Sequence, residues 1–199
     1  NKAVVARLAK YKNLTYSFDD NRTKIQACNA AMPKTNWNIC VLVSDDMIPV
    51  VRGFDNIIRE KMKLHFTDTD GILFFNDGNQ KREVNTYSIV GRKFYDQFNY
   101  LYHPDYDTIC CDAEFTEVGD LLKKQVYFPE VIVEHRHPAF RKGKYDPLYQ
   151  RNGQSKLMQS DGVMIVKRRE YGFPLASVKH FDHYIPKTAF FYWNSETPM

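Results

Sequence analysis

The sequence predicts an α/β domain in which short buried strands alternate with amphipathic helices. Continuous apolar runs of strand length lie at residues 41–43 and 71–75, and buried strands have this composition. Before the first run, Ile25, Cys28 and Met32 recur at the spacing of one helix face. Because the two patterns alternate along the chain, we expect a mixed sheet layered with helices.

The first part of the chain begins with a predicted helix that carries Val5 and Leu8 on its apolar face. Apolar and polar residues then alternate over 13–18, which predicts a half-buried strand. A helix over 23–32 follows, and Pro33 is expected to end it. The apolar run at 41–43 is the next strand.

The remaining elements follow from the same two patterns. In chain order they are a helix over 54–62, a buried strand at 71–75 closed by a turn at 76–79, a strand at 86–90, a helix over 115–122, and strands at 126–128 and 131–133. Residues 141–155 are polar, basic and rich in turn formers, which predicts a loop that a ligand can order. We expect one domain over 1–178 and an aromatic-rich tail over 179–199.

Composition and charge exclude several classes of protein. The formal net charge is +4 among 199 residues, and the basic residues are spread along the chain, which favours an anionic small molecule over nucleic acid. The four cysteines form no CxxC pair, so we expect reduced thiols and a cytoplasmic protein. Since no apolar stretch approaches the roughly 20 residues of a membrane span, membrane contact is expected to be peripheral at most.

The most informative motif joins the apolar run at 41–43 to Ser44, Asp45 and Asp46. Proteins of the α/β class commonly bind ligands where strands leave the sheet, and carboxylates at such an edge can hold a divalent cation against a phosphate. Ser and Asp also favour turns and helix N-termini. A capped turn is therefore the alternative interpretation.

Two further groups lie at predicted element ends. Asp112 and Glu114 come just before the helix expected to start near Phe115, and they are either helix-capping acids or functional acids. His135 and His137 alternate at the end of a predicted strand and so share one face. They are either metal ligands or an incidental surface pair.

Basic and amide side chains near these ends can serve a phosphate group. Arg22, Lys24 and Asn29 lie in or beside the first turns of the helix over 23–32, with solvated surface as the alternative. The late loop offers further cations that either close over a diphosphate or keep the loop soluble: Lys142, Lys144, Arg151 and Lys156.

The order of these motifs resembles the nucleotide-sugar-dependent glycosyltransferases of the GT-A fold, especially the large family 2. In that family a helix with a Lys-x-x-x-x-Asn pattern precedes a strand that ends in a DxD-type motif. Here Lys24 and Asn29 precede Ser44, Asp45 and Asp46. The motif lacks an acid at its first position, which makes Asp46 the expected metal ligand and Asp45 the expected sugar or ribose contact, unless the two roles are exchanged.

The later motifs agree with the same family, which places an acidic motif at the head of a helix and then a histidine. Asp112 and Glu114 followed by His135 match that order, and the resemblance covers residues 14–167. It implies a GT-A-like mixed, mostly parallel sheet with helices on both faces. The family begins with a base-binding strand, helix and strand, so the resemblance also implies that these first strands lie outside the sequence.

The chemistry implied by the resemblance is transfer of a sugar, with inversion, from a nucleoside-diphosphate sugar to an acceptor hydroxyl. Asp46 and His135, with His137 as the alternative imidazole, are expected to hold Mn²⁺ or Mg²⁺, with manganese favoured. Asp112 is the first choice for the carboxylate base and Glu114 the second. The expected donor-binding residues are Arg22, Lys24, Asn29, Asp45, Lys144 and Lys156.

Two other classes stay open beside this one. A metal-dependent nucleotidyltransferase also needs carboxylates beside a diphosphate, but it attacks phosphorus and releases pyrophosphate. A non-catalytic carbohydrate- or nucleic-acid-binding module could use the 14 Phe and 13 Tyr residues as stacking surfaces, although it leaves the acid and histidine motifs unexplained. For the glycosyltransferase, the partners are a nucleotide-sugar donor and a glycan or glycoconjugate acceptor.

Overall fold

The computed structural model describes residues 2–11, 14, 20–32, 36–143, 147, 150 and 155–173. The elements in chain order are α1 (Lys2–Leu8), α2 (Lys24–Ala31), β1 (Ile39–Val41), β2 (Met47–Pro49), α3 (Phe54–His65), β3 (Ile72–Phe75), β4 (Ile89–Gly91), α4 (Arg92–Tyr95), α5 (Cys111–Leu121), β5 (Gln125–Phe128), β6 (Val133–His135), a 3₁₀ turn (Pro138–Phe140) and α6 (Ser155–Glu170). The predicted α/β class is confirmed.

The main sheet has four strands in the order β1-β4-β3-β5, and β2 and β6 form a separate two-stranded ribbon. β3 and β5 are parallel, with α5 between them in sequence, whereas β4 is antiparallel to both of its neighbours. The prediction of a mostly parallel sheet is therefore wrong. Residues 76–88 contain no helix that could cross over the sheet, so the chain returns from β3 antiparallel to it.

The core lies on both faces of the main sheet. Ile72 of β3 packs in a cluster with Ile25 of α2 and Phe115 of α5. The next residue, Leu73, packs in a second cluster with Ile58 of α3. Because successive strand residues point to opposite faces, the two clusters cover opposite sides of the sheet, and all four β3 residues are buried as predicted for 71–75.

The apolar run at 41–43 departs from its prediction of a buried strand. β1 ends at Val41, its residues are half-buried, and Val43 is 51% exposed. β1 is the outer strand of the four-stranded sheet, paired with β4. A continuous apolar run does not distinguish an edge strand from a central one, and this is why burial was overestimated here.

Several boundaries also move. α5 begins at Cys111 rather than near Phe115, so Asp112 and Glu114 lie inside its first turn. α6 begins at Ser155, which places Lys156 in a helix rather than in a loop. Three predictions lie outside the described residues. They concern Lys144, the tail over 179–199, and the strand over 13–18 apart from Leu14.

None of the helices in the described part of the chain is both long and apolar enough to cross a bilayer.

Candidate functional site

The ribbon of β2 and β6 brings Asp46 and His135 together. The strands are antiparallel with Met47 opposite His135, and Asp46 directly precedes Met47. The backbone N–H of Arg136 donates to the carbonyl oxygen of Asp46 at 2.8 Å. Strand pairing therefore brings the backbone of Asp46, in the turn before β2, next to the end of β6, although Asp46 and His135 lie far apart in sequence.

The two side chains touch through their polar atoms. Nε2 of His135 lies 3.3 Å from Oδ2 of Asp46, with the side chains 12% and 29% exposed. The other oxygen of Asp46, Oδ1, accepts a hydrogen bond from the Ser44 hydroxyl. The acid and the histidine singled out in the sequence thus form one partly exposed pair.

Asp77 is a third member of the site and was not singled out in the sequence. Its side chain is 1% exposed, and its Oδ2 lies 3.4 Å from Nδ1 of His135. The backbone N–H of His135 donates to the carbonyl oxygen of Asp77 at 2.9 Å. The available signal was its position, since Asp77 follows the buried strand β3 within the predicted turn at 76–79.

The Asp77 carboxylate is held in place by its own turn. Oδ1 accepts from the backbone N–H groups of Asn79, at 2.8 Å, and Gln80, at 2.7 Å. Oδ2 accepts from the hydroxyl of Thr86 at 2.9 Å. Burial raises the pKa of Asp77, but interaction with His135 and these hydrogen bonds outweigh it and lower the pKa to about 2. A fixed negative charge therefore stands behind the imidazole.

His137 lies beside this group with its ring centroid 5.0 Å from that of His135. Its Nδ1 accepts from the backbone N–H of Ala139 at 3.2 Å, which caps the 3₁₀ turn. Burial lowers the pKa of His137, and the neighbouring charge of His135 lowers it further. The imidazole of His137 thus has a structural role in the 3₁₀ turn.

Lys24 connects this group to the predicted acidic motif. It is the first residue of α2, where Thr23 caps the helix by accepting from the N–H of Gln26. Desolvation lowers the pKa of Lys24, but interactions with Cys111, Asp112, Cys28 and Asp46 outweigh it, and the pKa is raised. The ammonium therefore lies within electrostatic reach of both Asp46 and Asp112.

The two acids of the predicted base motif have different surroundings. Asp112 is half-buried, and its Oδ1 accepts from the N–H of Ala113 at 3.0 Å. Glu114 is 4% exposed. Its carboxylate accepts hydrogen bonds from Nε and Nη2 of Arg168 at 2.6 and 2.8 Å. The Tyr106 hydroxyl also donates to Glu114 at 2.8 Å. Since both oxygens of Glu114 are engaged, Asp112 remains as the candidate base.

Asn29 was expected to bind the donor, but its amide is already used by the backbone. Nδ2 donates to the carbonyl of Tyr102 at 2.7 Å, and Oδ1 accepts from the N–H groups of Leu101 and Tyr102 at 2.9 and 3.2 Å. Asn29 therefore fastens the segment at 101–102, and its role in binding a donor stays a prediction.

The other predicted donor-binding residues are not gathered at the Asp46–His135 pair by any described contact. Arg22 and Asp45 are exposed. Lys156 is exposed on α6, on an open face that it shares with Gln159 and Lys167. Of these residues, Asp45 stays next to the pair by sequence alone.

A buried carboxylate on α6, Asp161, was also missed. Its side chain accepts from the backbone N–H groups of Asp107, Thr108 and Ile109 at 3.0, 2.8 and 2.9 Å. With Arg168 on the same helix, it holds the segment that leads into α5. Sequence alone carries no signal for this contact, because it joins residues more than 50 positions apart.

Among the described residues, no three His, Cys, Asp or Glu side chains form a group arranged to hold a metal ion. No protein-family model, curated protein or solved structure matches the chain. The geometry around Asp46, His135 and Asp77 therefore carries the functional inference.

Proposed function

We propose that this chain is an inverting glycosyltransferase that uses a nucleoside-diphosphate sugar and a divalent cation. The observation that carries the proposal is the 3.3 Å contact between Asp46 and His135. Lys24 interacts electrostatically with Asp112 and also with Asp46. These four residues come from the separate motifs that resemble the family 2 glycosyltransferases, and their convergence supports a shared site.

The atoms of Asp46 and His135 fit a divalent cation. Two ligands that lie about 2.2 Å from one cation, at right angles, are about 3 Å apart, close to the 3.3 Å between Nε2 and Oδ2. One imidazole with carboxylate and phosphate oxygens suits Mn²⁺ better than Mg²⁺. These two side chains leave the remaining ligand positions to diphosphate oxygens and water. A bound cation offsets the charge that develops on the leaving nucleoside diphosphate.

Asp112 is the residue proposed to take the proton from the acceptor hydroxyl. Its carboxylate lies in the first turn of α5, where the helix dipole favours a negative charge. No arginine in the described part of the chain pairs with it, whereas Arg168 pairs with Glu114. Direct displacement needs a base on the face opposite the leaving group, and inversion at the anomeric carbon follows from that arrangement.

Lys24 supplies a positive charge that interacts with both acids and would attract the diphosphate of a donor. Arg22 and Asp45 are exposed and lie close in sequence to Lys24 and Asp46. They remain candidates for binding the nucleotide or the sugar. The proposal also includes a GT-A-type fold built on the mixed sheet described above, a glycan or glycoconjugate acceptor, and a cytoplasmic location with at most peripheral membrane contact.

Asp46→Ala tests the metal assignment. We expect this variant to keep its fold and to lose both Mn²⁺-dependent sugar transfer and the Mn²⁺-dependent rise in Tm with a nucleotide-sugar, because a ligand stabilises only the state that binds it. The measurements are a thermal-shift panel of nucleotide-sugars with and without Mn²⁺, followed by product analysis. Asp55→Ala is the control, since Asp55 is an exposed acid paired with Arg59 on α3.

Undiminished transfer by Asp46→Ala contradicts the metal assignment. Released nucleoside diphosphate supports glycosyl transfer, whereas released pyrophosphate supports a nucleotidyltransferase and overturns the proposal. Nucleotide-sugar binding without any turnover or dependence on metal favours a binding module.

Asp112→Asn tests the base. The amide keeps the shape of the side chain but cannot accept a proton from the acceptor, so we expect donor binding to persist while kcat falls by about 10²-fold or more. Steady-state kinetics with donor saturating are the measurement. Turnover within a few-fold of the native rate contradicts the assignment of Asp112.

A further inference from the structure

The imidazole of His135 has one nitrogen toward Asp46 and the other toward the buried acid Asp77. Nδ1 is buried and has no hydrogen-bond partner within the usual geometric limits among the described residues, yet Oδ2 of Asp77 faces it at 3.4 Å. An ionised carboxylate can only accept hydrogen bonds. A proton on Nδ1 therefore suits Asp77, whose side chain is 1% exposed. Asp46 also can only accept, but its side chain is 29% exposed, so water or a bound cation can satisfy it in place of the imidazole. The lone pair of Nε2 is then left available beside Asp46.

Asp77 cannot easily turn away from the histidine. Its Oδ1 is fixed by two backbone N–H groups and its Oδ2 by Thr86. The backbone of His135 is tied to the same turn, because its N–H donates to the carbonyl of Asp77 and its carbonyl accepts from Nδ2 of Asn79 at 2.6 Å. The separation between acid and imidazole is therefore set by backbone contacts at both ends.

We propose that Asp77 is a positioning residue that fixes the tautomer of His135, holding the proton on Nδ1 so that Nε2 is free to bind a divalent cation beside Asp46. This inference rests on the proposed function and deepens it. Imidazoles that bind metals usually donate their second N–H to a carboxylate or carbonyl, and loss of that partner typically weakens metal binding about 10–100-fold.

Asp77→Asn reverses the hydrogen bonding without changing the shape of the side chain. The backbone N–H groups of Asn79 and Gln80 still require an oxygen, so the amide oxygen takes the place of Oδ1. The amide nitrogen then faces Nδ1 of His135 and can only donate to it. The imidazole must move its proton to Nε2, which removes the lone pair needed by a metal.

Asp161→Asn is the matched control. Asp161 is also 1% exposed and also accepts from consecutive backbone N–H groups, but its partners lie in the segment at 107–109 and include no histidine. Both variants replace a buried carboxylate by an amide, so general destabilisation is common to the two.

The experiment uses the full chain and two measurements. Nitrogen-15 NMR of the imidazoles in the metal-free protein, recorded above the pH at which their signals stop shifting, reports the tautomer of His135. Titration with Mn²⁺ alone, followed by the loss of the free-ion EPR signal, reports metal affinity.

We expect native protein and Asp161→Asn to carry the proton on Nδ1 of His135, and Asp77→Asn to carry it on Nε2 and bind Mn²⁺ about 10–100-fold more weakly. The same tautomer and the same affinity in all three proteins overturn the inference. If native protein and Asp46→Ala bind Mn²⁺ equally, the metal assignment of the proposed function fails, whatever the tautomer measurement gives.

Discussion

Two buried aspartates, Asp77 and Asp161, solve the same local problem in different surroundings. Each is 1% exposed, and each accepts hydrogen bonds from consecutive backbone N–H groups. Around Asp161 the partners are all backbone or hydroxyl groups of one segment. Asp77 also faces an imidazole that in turn faces a second, partly exposed carboxylate.

The difference separates a structural acid from one that, in the function proposed above, orients a metal-binding imidazole. Asp161 and the Glu114–Arg168 pair hold α6 against the segment at 103–114. Their carboxylates are buried, at 1% and 4% exposed. The contacts of Asp77 instead lead outward through His135 to Asp46, whose side chain is 29% exposed. The first region is therefore expected to respond to mutation mainly in stability, and the second mainly in ligand binding.

The largest expected effect on stability is in the region around Asp161 and the Glu114–Arg168 pair. Arg168→Met leaves the Glu114 carboxylate buried without its guanidinium, and breaking a buried ion pair in this way costs about 3–5 kcal/mol of unfolding free energy. Urea denaturation followed by circular dichroism measures it. Arg169→Met is the control, because Arg169 and its partner Glu117 are 48% and 36% exposed, and ion pairs that water reaches are worth about 1 kcal/mol or less. Equal losses in the two variants contradict the comparison.

A smaller loss is expected when either aspartate is truncated. Asp161→Ala removes the acceptor of three backbone N–H groups and Asp77→Ala that of two. Because water can enter the space left by the carboxylate, we expect each variant to lose about 1–3 kcal/mol, the cost of one unsatisfied group. The comparison is sharpened by adding Mn²⁺ at about 100 times its Kd, which raises the unfolding free energy of a binding protein by about 2.7 kcal/mol. We expect Asp161→Ala to gain most of this increment and Asp77→Ala to gain little. An equal gain in the two variants contradicts the proposed division between the regions.

The smallest expected effect concerns the pH dependence of stability and His103, which lies in the segment held by Asp161 and Arg168. Burial lowers the pKa of His103 below its ordinary value, and the charge of Arg168 lowers it further. Neutral His103 accepts at Nδ1 from the N–H of Asp105, and protonation removes that acceptor. Below about pH 6.5 the unfolded chain therefore binds more protons at this residue than the folded one, and stability falls as the pH falls.

His103→Gln removes this contribution, so we expect its unfolding free energy to fall less steeply than that of the native protein between about pH 7 and pH 5. Urea denaturation at several pH values is the measurement. A steeper fall in the variant shows that His103 gains a proton on folding, contrary to its surroundings.

The sequence predicted those parts of the fold that depend on burial over a continuous stretch. β3 was found because all four of its residues are buried, whereas the edge position of β1 and the antiparallel return of β4 depend on strand neighbours that lie elsewhere in the chain. Amphipathic spacing located α2 and α3. It did not locate the start of α5, because the residue before that helix, Cys110, is marked by its backbone conformation, with φ of 63°, and not by a hydrophobic pattern.

The site divides in the same way. Asp46, His135 and Asp112 could be proposed because they lie at the ends of apolar patterns. Asp77 and Arg168 act through side chains brought close by the fold, and the partner of Arg168 lies 54 positions away. For the same reason the sequence does not reveal that the amide of Asn29 binds the backbone of a segment more than 70 positions away.

The segment at 101–109 has a consequence for the order of folding. Asn29 fastens one end of it and Asp161 the other, so its two anchors come from opposite ends of the described chain. Long loops must close before such contacts form, and this slows their formation. During synthesis, the strands can pair before α6 has been made, but the segment leading to Asp112 waits for it. The candidate base is therefore expected to be among the last parts of the protein to reach its place.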